Sequence, residues 1–95
     1  MKLLYFRAEW CGVCREKGPV VEEAARSLGL PLEVLDWDEE RGRAEAEARR
    51  IRTVPTLALV HGDRVPFQLV GRMITPENVA HFVARVRPAG GPPAP

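Results

Sequence analysis

The chain is poor in cysteine. Cys11 and Cys14, two residues apart, are the only two in 95 residues. So few thiols exclude a disulfide-stapled framework, and a bridge across so short a loop removes little unfolded-chain entropy. Net charge is nearly absent too, at +1. That leaves out the basic footprint nucleic acid requires and any strong pull on an acidic partner. Long apolar runs are missing: nothing approaches the roughly 20 residues of a membrane-spanning helix, so neither nucleic acid nor membrane is an expected partner. Leu3-Leu4-Tyr5-Phe6 is too short for a signal-peptide core of about 7–15 residues. The expected compartment is therefore the cytoplasm, where a close cysteine pair is more often catalytic or metal-binding than structural. Lysine is scarce, 2 against 12 arginines, with one Asn and one Gln. A GC-rich genome and a hot habitat both produce that bias.

What is present describes one domain, expected over residues 1–88, followed by a Pro/Gly-rich tail, 89–95, expected to be disordered. A chain of this size buries about 65% of its unfolded surface, enough to fold alone, and a monomer is expected. Lys2 to Phe6 reads as a strand buried on both faces, since its apolar residues run on without alternation. From Cys11 to Leu28, Val20, Val21, Ala24, Ala25 and Leu28 recur at helical spacing. Pro19 inside this helix predicts a kink, and Gly29 predicts its end. Leu32 to Leu35 is a second strand. Asp38 is the expected cap of a helix reaching Arg50, with Ala44, Ala48 and Ile51 as its thin apolar face; Gly42 blurs its start. Glu39/Arg43 and Glu45/Arg49 are spaced to pair along it. Leu57–Val60 and Val65–Val70 flank the hairpin signal Gly62-Asp63, with Pro66 marking an edge strand. Thr75 and Pro76 open a last helix whose stripe is Val79, Phe82, Val83 and Val86.

The order β-α-β-α-β-β-α predicts an α/β fold: a four-stranded mixed sheet, spatial order 2-1-3-4, with helices on both faces and the first strand in its middle. A Cys-x-x-Cys pair where that strand meets a helix points to redox chemistry. The other readings are a metal half-site or inert thiols. Mononuclear zinc wants four ligands, and His61 and His81, the two histidines, have no metal-ligand spacing to the cysteines. No metal and no cofactor are expected, although an iron–sulfur cluster shared between two subunits is another use of such a pair.

Several separated features resemble the thioredoxin superfamily: Ala8-Glu9-Trp10-Cys11-Gly12-Val13-Cys14, the helix proline Pro19, Ile51-Arg52-Thr53-Val54-Pro55-Thr56, and Gly71. The resemblance spans the chain to about Pro88. It implies a thioredoxin-like fold, a cis-proline at Pro55 and a glycine at Gly71 lining a substrate groove. The chain differs from the family in lacking its usual N-terminal strand and helix, and in Val13 between the cysteines. The family's buried aspartate beneath the disulfide corresponds here to Tyr5, and that aspartate's lysine neighbour to Val34, so the resemblance implies that both lie beneath the cysteines.

The resemblance implies a thiol–disulfide oxidoreductase acting on protein disulfides. A helix N-terminus favours negative charge and lowers a cysteine pKa from about 8.5 into the range ~3.5–7.5. Cys11 is accordingly expected as the exposed nucleophile. Cys14, one turn further in, is the expected resolving thiol, and the cycle leaves a Cys11–Cys14 disulfide. Trp10, Gly12, Val13, Val54, Pro55 and Gly71 are the expected substrate groove, with Val54 backbone groups pairing with an extended segment; Trp37 is placed at its border. An upstream reductase or glutathione would reduce the pair again. A glutaredoxin-like, glutathione-dependent enzyme and a redox-inert binding module are the alternatives.

Overall fold

The computed structural model describes residues 1–87. Its elements are β1 (Lys2–Arg7), α1 (Gly12–Leu28), β2 (Leu32–Asp36), α2 (Glu40–Ala48), β3 (Thr56–His61), β4 (Arg64–Val70), a 3-10 turn (Gly71–Met73) and α3 (Pro76–Val86). The four strands form one sheet ordered β2-β1-β3-β4. β1 runs parallel to β2 and antiparallel to β3, and β3 and β4 form an antiparallel hairpin. Pro88 and the tail 89–95 lie outside the described residues.

The central strands lack alternation because both of their faces are covered. Leu3, Tyr5, Leu57 and Leu59 pack with Val21, Ala24 and Ala25 of α1 and Val79 and Val83 of α3. The alternate residues Leu4, Phe6, Ala58 and Val60 pack on the other face with Leu35, Ala46 and Ile51. β4 lies at an edge and does alternate: Arg64, Pro66, Gln68 and Val70 are exposed while Leu69 is buried. Pro66 therefore removes no sheet hydrogen bond from the interior.

Local signals end the helices where expected. Gly29, at φ +67°, closes α1, and the Leu30 N–H reaches back to the Ala25 carbonyl at 2.9 Å. The Thr75 hydroxyl accepts from the Asn78 N–H at 3.0 Å and caps α3, with Pro76 in its first turn.

The α2 region departs from expectation. Asp38 does not cap it; the N-cap is Glu39, without a side-chain bond. The Asp38 carboxylate is committed to the Trp10 indole instead. α2 ends at Ala48, not Arg50, because Arg50 turns left-handed at φ +60° and the Ile51 N–H returns to the Ala46 carbonyl at 2.8 Å. This closure turns Ala46 and Ile51 inward and leaves Ala44 and Ala48 exposed. Gly42 does not weaken the helix start; it is the contact point, where an added Cβ would collide with the Asp36 backbone. Glu45 pairs with Arg49 at 2.9 Å, whereas Arg43 turns to Asp38 and the Trp37 carbonyl.

Candidate active site

β1 delivers the chain to the site. Ala8, Glu9 and Trp10 turn out of the sheet, closed by the Cys11 N–H donating to the Ala8 carbonyl at 3.2 Å. Cys11 then caps α1 in extended conformation, and its Sγ accepts from the Cys14 N–H at 3.1 Å. The first turn of α1 carries no acidic side chain, so nothing competes with a thiolate for its free N–H groups. Cys11 and Cys14 are disulfide-bonded, with Cα atoms 5.2 Å apart. Their exposures separate them: Cys11 keeps 9% and Cys14 none.

The Val54–Pro55 peptide is cis. Val54, half-buried, packs with Val13 and Trp37 against Ala8, Cys11 and Cys14. The Thr56 hydroxyl donates to the Thr53 carbonyl at 2.8 Å, and the Gly71 N–H donates to the Pro55 carbonyl at 2.9 Å. That last bond brings Gly71, at φ +59°, to the proline segment. Trp10 is 65% exposed, with its indole N–H on Asp38 at 2.9 Å, and Gly12 is open to solvent beside it. Val13 and Val54 thus lie against the cysteine pair and Gly71 against Pro55, while Trp10 and Gly12 adjoin Cys11 in the chain. Pro19 is exposed within α1 and, with Val20, Leu28 and Pro76, lines an apolar depression of about 500 Å³ between α1 and α3. That depression includes neither cysteine.

One expectation fails. Val34 is not part of a floor beneath the cysteines, since it is 49% exposed. It shares Tyr5's register, but on the edge strand β2, beyond the cover of α1. Tyr5 does lie beneath them. It is 2% exposed, and its hydroxyl donates to the Cys14 carbonyl at 2.6 Å. Burial pushes its pKa up to about 12, against a smaller downward pull from Arg7, so the phenol is a neutral donor at ordinary pH.

Sequence reasoning missed the residues that hold the rim. Arg7 reaches Glu9 at 3.4 Å and Asp36 at 3.6 Å. Arg15 donates to the Glu9 carbonyl at 2.7 Å, and Arg72 pairs with Glu16 at 3.0 Å, tying the 3-10 turn to α1. Arg43 lies 5.6 Å over the Trp37 ring and steadies it at the border. Met73 and Val70, 58% and 43% exposed, flank Gly71 in the chain. The Arg72–Glu16 pair had no local signal, because its partners lie 56 residues apart.

A sequence model of the Thioredoxin family matches residues 1–85. The chain belongs to the thioredoxin family. With the paired Cys11 and Cys14 it is a thiol–disulfide oxidoreductase, a protein disulfide reductase of thioredoxin type. It is 32% identical over 77 residues to thioredoxin 2 of Chlorobaculum tepidum, covering 81% of this chain and 69% of the relative. Thioredoxin 1 of the thermophile Thermosipho africanus shares its fold with a TM-score of 0.81 at 21% identity, covering 97% of this chain and all of that one. A thioredoxin f2 solved in complex with ferredoxin:thioredoxin reductase superposes with a TM-score of 0.72 at 21% identity, covering 90% of this chain and 76% of that one.

Proposed function

We propose that Cys11 is the nucleophile and Cys14 the resolving thiol of a dithiol reductant. The observation that carries this is the asymmetry of the pair. Cys11 sits at the helix N-terminus, accepts the Cys14 N–H and is the more accessible sulfur, while Cys14 is fully enclosed. The Cys11 thiolate attacks a substrate disulfide and forms a mixed disulfide; one substrate sulfur leaves. Cys14 then attacks the Cys11 sulfur, releases the second substrate thiol and leaves the Cys11–Cys14 disulfide. Substrate lies in extended form along Val54 and the cis-proline, between Trp10 and Gly71, with its backbone paired to Val54.

The oxidised pair has to be reduced by a partner. A dedicated reductase fits best, supported by the thioredoxin f2 complex. The protein works as a cytoplasmic monomer in thiol homeostasis and electron transfer. Insulin reduction driven by dithiothreitol tests the cycle. Wild type accelerates it, Cys11→Ser does not, and Cys14→Ser accumulates a mixed disulfide on Cys11. Full activity in Cys11→Ser overturns the assignment. Sedimentation and cell fractionation test the monomer and its compartment.

A further inference from the structure

The resolving thiol must lose a proton, and its surroundings offer no base. Among the described residues the only buried side chain classed as polar or charged is Thr56, and its hydroxyl is committed to the Thr53 carbonyl. Cys14 packs with Ala8, Cys11, Val13, Trp37 and Val54, none of which titrates apart from its own partner. The neighbouring carboxylates are at the surface and engaged. Glu9 pairs with Arg7; Asp36 also pairs with Arg7 and accepts the Asp38 N–H; Asp38 holds Trp10; Glu16 holds Arg72. Cations on the adjoining elements are Arg15 and Lys17 of α1, Arg43 of α2 and Arg52 before the cis-proline. Glu77, His81 and Arg85, on α3, are exposed. What does reach Cys14 is the hydroxyl of Tyr5, buried like Cys14 itself and bonded to its carbonyl.

We propose that Tyr5 is a positioning residue for the resolving step, holding the Cys14 carbonyl, and with it the first turn of α1, while the Cys14 thiolate attacks the Cys11 sulfur. The proposal rests on the roles assigned above to the two cysteines. The step balances without another reactant. The Cys14 S–H and the Cys11–S–S–R bond break. The Cys11–Cys14 bond and the R–S–H bond form, so the dithiol is oxidised by the two electrons the substrate gains. The attacking and leaving sulfurs stand on opposite sides of the Cys11 sulfur, so the proton travels through water: Cys14 loses it as the thiolate forms, and the departing thiolate takes one up. Tyr5 stays protonated throughout, and its single proton is already used on the carbonyl.

The test uses the full chain, an oxidised peptide with an alkyl disulfide, and quenched flow with mass analysis of acid-trapped species. Formation and decay of the mixed disulfide are read separately from pH 4 to 8. Tyr5→Phe is expected to slow decay about fivefold, the worth of one ordinary hydrogen bond, with formation unchanged. Wild-type decay is expected to rise with pH as the Cys14 thiolate forms, with no separate step in the carboxylate range. Equal slowing of both steps, or no slowing, overturns the positioning role. A step in the carboxylate range would show that a carboxylate takes the Cys14 proton, and overturns the proton route. Should Tyr5→Phe not fold, the wild-type profile still decides the route. If Cys14→Ser traps no mixed disulfide, it is the cysteine assignment that has failed, not the inference about Tyr5.

Discussion

Replacing Gly42 by alanine sets two effects of opposite sign against each other. Intrinsic helix propensity favours alanine by about 0.8–1 kcal/mol in a helix interior. Packing opposes it, because a Cβ at this position meets the carbonyl carbon and oxygen of Asp36. That carbonyl has no room to withdraw. It accepts the Glu39 N–H at 3.1 Å at the entry to α2, and the Asp36 side chain is tied to Arg7. The helix has to move instead, opening the contacts of Ala46 and Ile51, now 1% and 4% exposed. Overpacking costs about 1–3 kcal/mol where side chains adjust, and a backbone obstacle belongs at the upper end. The balance is a loss of about 1–2 kcal/mol. At about 4–8 °C per kcal/mol for a domain of this size, Tm should fall by about 4–16 °C. Thermal and urea unfolding of the oxidised protein measure it. An unchanged or higher Tm would show that propensity decides the site and that α2 does not rest on Asp36 as described.

Three further outcomes are expected. Thr75→Ala removes the α3 cap and costs about 0.5–2 kcal/mol in urea unfolding, with insulin reduction unaltered. Gly71→Ala forces a left-handed alanine at φ +59°, costing about 1–2 kcal/mol by thermal unfolding, and narrows the groove, lowering kcat/KM for protein disulfides. Tyr5, the only tyrosine, ionises in the native protein near pH 12 rather than the usual 10. The unfolded chain loses that proton first, so stability is level below about pH 10 and falls by about 2–3 kcal/mol as pH rises towards 12. Ultraviolet tyrosinate absorbance follows the ionisation, and a native midpoint near 10 would show the hydroxyl is not enclosed.

Strand order, helix number and the reactive pair were legible because their signals are local or periodic. Unbroken apolar runs marked β1 and β3 as central, Gly29 and the Thr75-Pro76 pair marked helix ends, and two close cysteines marked the site. Asp38 misled for the opposite reason. As a cap it satisfied every local rule, but the indole of Trp10, 28 residues away, is its partner in the folded chain. The inner face of α2 shifted from Ala44 and Ala48 to Ala46 because its orientation follows the Gly42–Asp36 contact and the turn at Arg50. Val34 could be placed beneath the cysteines by the family resemblance, yet only the sheet's edge decides whether anything covers it. The hydroxyl of Tyr5 could be expected to need a partner. That the partner is the carbonyl of the resolving cysteine belongs to the packing of β1 against α1.

The placement of β1 also orders events in time. It is made before both of its sheet neighbours, Leu32–Asp36 and Thr56–His61. A nascent chain has both cysteines long before it has the strand that closes the second side of β1, and before the proline segment and Gly71 that shape the groove. Until then Cys11 and Cys14 stand at the start of α1 on an unfinished sheet, without a place for substrate. Substrate selection therefore arrives late, when the β3–β4 hairpin docks. The cysteine pair acquires its groove from residues made after it.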